Sequence, residues 1–231
     1  MVYLTGDTHG DFKRVAEFCI FANKNKDDTL VVLGDAGINY RQDKAAYEHK
    51  QLLERLPITL LCIHGNHEQR PETISSYKEI FWNGGIVYAQ DEFPSILFAK
   101  DGEIYNLDGN KCISIGGAYS VDKPLRLLNG WNWFADEQPS DAVKQCVEQR
   151  LTDENWRIDI VLSHTCPYRY LPSDTFPKNS SVDQRTVDNS TEIWLDDIEE
   201  RLDYMKWYCG HFHIERVIDK IQFMYNDFVS I

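Results

Sequence analysis

The sequence predicts an α/β protein built from two packed mixed β-sheets flanked by helices. Three observations carry this prediction. Five short apolar runs each end in Gly, Asp, Asn, Ser or His, as buried strands do where they leave a sheet. The first third alternates such runs with segments of helical spacing, the order that makes a parallel sheet with right-handed crossovers. From Gly84 onward the pattern changes to short strands separated by Gly, Asp and Asn, which suits antiparallel hairpins.

Taken in order, Val2-Tyr3-Leu4 is the first strand. Phe12, Val15, Ala16, Phe18, Cys19 and Ala22 then recur at helical spacing, and Asp27-Asp28 closes that segment. Leu30 to Leu33 is the second strand. A helix from about Asp43 to Leu56 presents Ala46, Leu52, Leu53 and Leu56 on one face and stops before Pro57, which cannot continue it. Ile58 to Ile63 is the third strand. Short strands follow at Ile86 to Ala89, Ile96 to Ala99, Glu103 to Leu107 and Lys111 to Ile115, with Asp108-Gly109 or Gly109-Asn110 as a tight turn. A segment of over twenty residues, Tyr119 to Pro139, reads as a long loop. Beyond it come a helix from about Ser140 to Thr152, a strand Ile158 to Leu162, a helix Ile193 to Tyr204, the run Trp207-Tyr208-Cys209, and closing strands near Glu215 to Ile218 and Gln222 to Tyr225.

A chain of 231 residues is ordinary for one α/β domain, so residues 1–231 are expected to form a single unit. The net charge of −13 disfavours duplex nucleic acid, whose phosphates require Lys and Arg. No apolar run approaches the roughly 20 residues that cross a bilayer. Met1 leads straight into the first strand without a basic and then apolar leader, and the six cysteines contain no C-x-x-C pair. The expectation is a cytoplasmic protein with no membrane partner and reduced cysteines. Nothing in the sequence speaks to oligomeric state.

The five runs precede Gly6-Asp7-Thr8-His9, Gly34-Asp35, Gly65-Asn66-His67-Glu68, Ser163-His164 and Gly210-His211-Phe212-His213. In open α/β sheets, ligands bind outside the carboxyl ends of the strands, so the chain assembles one site from five places. Asp, Asn and His together suit divalent ions of intermediate softness, such as Mn, Fe or Zn. No H-E-x-x-H, no G-x-S-x-G elbow and no P-loop is present. His49, between Glu48 and Lys50, is expected on a solvated helix face, and His64 as a strand-end packing residue. Cys166 and Cys209 complete no ligand set and read as packing. The acidic run Asp196 to Glu200 reads as a solvated helix face.

In order and spacing these motifs resemble the calcineurin-like metallophosphoesterase superfamily, over nearly the whole chain. Gly116-Gly117-Ala118-Tyr119-Ser120, Asp122-Lys123, Arg126, Gly130-Trp131-Asn132-Trp133 and Glu137-Gln138-Pro139 resemble its small bacterial and phage-type branch. The resemblance implies an αββα sandwich and two divalent metal ions (Mn, Fe, Zn or Ni, with Mn favoured). It assigns Asp7, His9, Asp35 and His213 to one metal and Asp35, Asn66, His164 and His211 to the other, with Asp35 as the bridge. Two such ions clamp a phosphate and activate a bridging water as hydroxide. Neutral Asn66 and neutral histidines leave the cations only partly neutralised, which favours an anionic substrate.

His67 is then free to face the substrate. The resemblance implies that it protonates the leaving oxygen or stabilises the transition state, with Glu68 orienting its ring. Gly-Asp-Thr-His-Gly and Gly-Asn-His-Glu resemble the protein serine/threonine phosphatase branch, but that branch continues Gly-Asp into Tyr-Val-Asp-Arg-Gly. Here Ala36-Gly37-Ile38-Asn39-Tyr40-Arg41 follows, so the phosphate-binding Arg of that branch is not in place. Arg126, for phosphate oxygens, and Trp131, for stacking, are the substrate candidates, Trp131 and Trp133 equally reading as loop packing. The expected activity is hydrolysis of a phosphomonoester or small phosphodiester. The alternatives are a nuclease or cyclic-nucleotide phosphodiesterase and, outside enzymes, a metal-binding interaction scaffold.

Overall fold

A computed structural model describes residues 1–175 and 186–231 of the chain. Three parallel strands, β1 (Val2–Thr5), β2 (Thr29–Val32) and β3 (Thr59–Cys62), alternate with helices α1 (Lys13–Phe21) and α2 (Lys44–Glu54). Next come β4 (Lys78–Trp82), β5 (Gly85–Gln90), β6 (Phe93–Ala99), β7 (Ile104–Leu107) and β8 (Asn110–Ile115). The remainder is α3 (Lys123–Asn129), α4 (Asp141–Asp153), β9 (Ile160–Ser163), α5 (Ser190–Arg201), β10 (Lys206–Cys209), β11 (Arg216–Ile218), β12 (Ile221–Phe223) and β13 (Val229–Ser230).

The strands form a seven-stranded sheet, β13-β1-β2-β3-β6-β5-β4, and a six-stranded sheet, β11-β12-β10-β9-β8-β7. The alternation within each strand explains how they pack. Leu4, Val31, Leu61 and Leu97 of the first sheet meet Tyr105, Cys112, Leu162 and Tyr208 of the second in a central core. The opposite faces, Leu30, Val32 and Leu60 on one sheet and Ile113, Val161 and Trp207 on the other, are covered by α1 with α2 and by α4 with α5. Cys166 and Cys209 pack in the second of these outer cores. Helix, sheet, sheet, helix is the predicted architecture. Among the described residues no helix is long and apolar enough to cross a membrane.

Local signals act where expected. Asp43 and Ser140 cap α2 and α4 by accepting from Ala46 N and Val143 N. Asp108 and Gly109, both at positive φ, make the β7–β8 turn.

Five expectations need correction. Tyr119 to Pro139 is not all loop, since α3 lies within it. Strand β4 precedes Gly84 at the edge of the first sheet. Leu52 is 61% exposed, while Lys50, one turn from Ala46 and Leu53, is buried and donates to Asn39 Oδ1 and Gln90 Oε1, each at 2.9 Å. His49 is half-buried, its ring edge-on to Phe12. The acidic face of α5 is also not merely solvated, because Arg169 pairs with Asp196 and Glu200.

Candidate metal centre

The carboxyl ends of β1, β2, β3, β9 and β10 bring their polar side chains to one place. Asp7, His9 and His213 place donor atoms within 4.8 Å of one another, as do Asp7, Asp35 and His164, and His9, Asp35 and His67. Tight turns permit this. Gly34 adopts φ +90, and a Cβ there would lie 2.0 Å from His164 Nδ1. A Cβ on Gly65 would lie 2.1 Å from the Asp35 backbone nitrogen. His9, Asp35, His211 and His213 themselves sit at φ values of 47, 46, 66 and 52, in the left-handed region. Non-glycine residues there are uncommon and strained, and such strain clusters at functional sites.

The donor set fits divalent cations on the chemistry of its contacts. His164 Nδ1 lies 2.9 Å from Leu33 O, a pure acceptor, so Nδ1 carries a proton and, in the neutral ring, Nε2 presents a lone pair. That nitrogen faces Asn66 Oδ1 at 2.8 Å, and Asn66 Nδ2 donates to Ser120 Oγ at 2.9 Å. In the neutral ring this sets two acceptors against one another, an arrangement a cation satisfies, and a ring nitrogen tied to a carbonyl is the usual support of a metal-binding histidine. On the other side His9 Nε2 and His213 Nε2 approach to 3.0 Å, with Asp7 Oδ2 3.2 Å from the latter.

Asp35 stands between the two sets. Its Oδ1 is 3.7 Å from His164 Nε2 and its Oδ2 is 3.9 Å from His9 Nε2. His211 packs its ring edge on His164 at 4.9 Å and donates its backbone N–H to Asp7 Oδ1, outside the three tight groups.

Electrostatics agree with ligand roles at His9 and His211, whereas the hydrogen bond with Asp7 raises His213. Burial holds His9 below its ordinary range and His211 well below, so both rings are neutral, as ligands must be. Burial by itself would raise the Asp7 carboxyl, but the His213 hydrogen bond and nearby histidines outweigh it and keep Asp7 low.

His67 lies beside this set, with Nδ1 3.6 Å from Asp35 Oδ2 and its backbone N–H donated to Asp35 Oδ1 at 2.8 Å. Its ring partners were not those expected. Glu68 turns inward, fully buried, and its Oε1 accepts from Ala36 N and Gly65 N. It ties metal-site loops together and does not orient the His67 ring. Burial, reinforced by the Asp35 charge, pushes the Glu68 carboxyl up to about 8.

Besides Asp35, a second carboxylate stands beside His67: Asp122, just ahead of α3, with Oδ1 3.7 Å from His67 Nε2. Burial would raise the Asp122 carboxyl, but hydrogen bonds with His67 and Arg126 hold it far below the usual range. Arg126 donates Nε to Asp122 at 2.8 Å and sets Nη2 3.1 Å from both His67 ring nitrogens. It is buried against the catalytic candidate, not held out to solvent. Asp122 and Arg126, four apart across the start of a helix, were the signal that could have found this pair. Trp131 is 56% exposed. Trp133 packs the segment down, donating to Glu137 and lying under Lys123. His64 is buried with both ring nitrogens unpartnered among the described residues, next to the Gly65 turn.

A layered αββα fold with a carboxylate, amide and imidazole cluster at its strand ends defines a metallophosphoesterase architecture. The calcineurin-like phosphoesterase family model matches residues 1–215. The chain belongs to that family. A protein of unknown function from Aquifex aeolicus, solved by crystallography, is similar at 17% sequence identity with a TM-score of 0.34, covering 71% of this chain and 80% of its own. A search of curated proteins gave no match.

Proposed function

We propose that this chain is a two-metal phosphoester hydrolase acting on a phosphomonoester or small phosphodiester. The observation that carries the reading is Asp35, whose two oxygens face two separate sets of ligand atoms, one of them the opposed acceptors of His164 and Asn66. Asp7, His9, Asp35 and His213 would hold one ion and Asp35, Asn66, His164 and His211 the other. When bound, two divalent ions supply charge stabilisation at phosphorus and acidify the attacking water.

The residues do the rest. His67, registered to the centre through its backbone bond to Asp35, is placed to give a proton to the leaving oxygen. Asp122 fixes its ring in place of the role first expected of Glu68, and Arg126 holds Asp122. Manganese is the first ion to test, with Fe, Zn and Ni beside it.

The test is a phosphoester panel run on chelator-stripped protein reloaded with each ion. Hydrolysis is expected to vanish on stripping and return with Mn, and His67→Ala to lower kcat by roughly 10²–10⁴ for poor leaving groups with metal content unchanged. Full activity without metal refutes the proposal. Metal uptake with no hydrolysis of any ester in the panel favours the scaffold alternative.

A further inference from the structure

We infer that Tyr225 is a positioning residue for His213, and through it for one of the two metals, presented by a loop that Glu215 ties down. The inference rests on the reading of His213 as a ligand.

His164 and His213 are held differently. His164 is buried and its second nitrogen is tied to a backbone carbonyl. The His213 side chain is 43% exposed, its backbone is left-handed, and its side-chain hydrogen bonds among the described residues run through Nε2 alone, toward Asp7 and His9. A histidine ligand normally has its other nitrogen fixed by a polar partner, which sets the ring orientation. For His213 a ring face does this work. Tyr225 lies parallel to it, with centroids 4.6 Å apart and planes 13° from each other.

Tyr225 is itself held by a dedicated device. Glu215 Oε1 accepts the backbone N–H groups of Tyr225, Asn226 and Asp227 at 2.9, 2.6 and 2.8 Å. The Tyr225 carbonyl accepts from Gly6 N at 3.1 Å, directly before Asp7. Arg14 closes the link, donating Nη1 to Asn226 O at 3.3 Å and Nη2 to Gly6 O and Asp7 O, each at 3.0 Å. The loop that carries the stacking ring and the loop that carries Asp7 are therefore one clamped unit. The family match ends at residue 215, so the stacking ring is supplied from outside the matched segment.

The experiment is calorimetric titration of metal-stripped protein with Mn²⁺. Tyr225→Leu is expected to weaken one of two binding events roughly tenfold and leave the other unchanged, in line with losses on removing a ligand's outer support. Tyr225→Phe keeps the ring face and is expected to bind as the wild type does. His213→Ala marks which event belongs to that ligand. If Tyr225→Leu does not fold, Glu215→Ala, which frees the loop but keeps the ring in the chain, is expected to weaken the same event. Wild-type affinities in Tyr225→Leu, equal loss in the Leu and Phe variants, or equal weakening of both events overturns the inference. No Mn²⁺ uptake by the wild type, or two intact events in His213→Ala, overturns it together with the ligand assignment beneath it.

Discussion

Replacing Asp122 by Asn tests whether the segment after β8 belongs to the chemistry. The change keeps shape and leaves Oδ1 able to accept from Arg126 Nε, but it removes one charge 3.7 Å from His67 Nε2. At that distance a unit pair is worth about 1 kcal/mol in a water-like medium and about 4 kcal/mol at an effective dielectric of 20. The two side chains are 23% and 32% exposed, and the Arg126 charge on the same oxygen opposes the effect. The lower end applies, about 1–2 kcal/mol, or a fall in kcat of roughly 5–30-fold. The assay is steady-state hydrolysis of aryl phosphates of graded leaving-group pKa by Mn-loaded protein, with metal content measured in parallel. The loss should grow as the leaving group worsens and should disappear in a His67→Ala background, since the two residues act as one unit. An equal loss in that background, or a loss matched by missing metal, refutes the role assigned to Asp122.

Arg126→Ala is expected to lower kcat as well as raise KM, because it frees Asp122 and His67 together, whereas Trp131→Ala leaves both constants near wild type; steady-state kinetics on a small phosphoester decide, and a change in KM alone for Arg126→Ala restores a pure substrate-binding role. Gly34→Ala forces a Cβ into His164 Nδ1 and strains the backbone by roughly 1–2 kcal/mol. It should cost metal at the His164 side, read by elemental analysis after dialysis, and full occupancy contradicts it. Lys50 is pushed down to about 8 by burial from an ordinary 10.5. Its contribution is complete above the unfolded value and is lost as pH falls through about 8, so the stability of wild type relative to Lys50→Met should rise between pH 8 and 10.5 by up to about 3 kcal/mol. Urea unfolding of metal-free protein at both ends of that window measures it, and a flat difference is the contrary result.

The parts of the fold that were legible are those where burial writes a period into the chain. Strands β1, β2, β3, β9 and β10 are buried on both faces and read as unbroken apolar runs, and the residue types at their ends needed only order and spacing to be noticed. Strand β4 was hidden because it lies at a sheet edge with Phe81 74% exposed, so no alternation marks it. Helix α3 was hidden because Arg126 is its one buried residue and Leu125, Leu127 and Leu128 face solvent. Asp122 was noticed beside Lys123, but without that helix nothing tied it to His67. Glu68 misled for another reason. Adjacency to His67 in sequence suggested contact, but successive side chains diverge, and the carboxylate was drawn to the unpaired N–H groups of two neighbouring turns.

The left-handed backbone at His9, Asp35, His211 and His213 constrains how such a centre can change. Asp, Asn and His are the non-glycine residues that best tolerate that conformation, and they are also the residues that ligate intermediate divalent ions. Backbone geometry and coordination chemistry thus draw on the same short alphabet at these positions. A drift to Val or Ile loses ligand and turn at once. A change to Gly keeps the turn and loses only the ligand, so Asp35→Gly and Asp35→Val form a matched pair that separates folding from metal binding. By the same logic, a descendant that abandoned catalysis while keeping this architecture would be expected to carry glycine or asparagine at these four places, and the order of those replacements would record which metal was given up first.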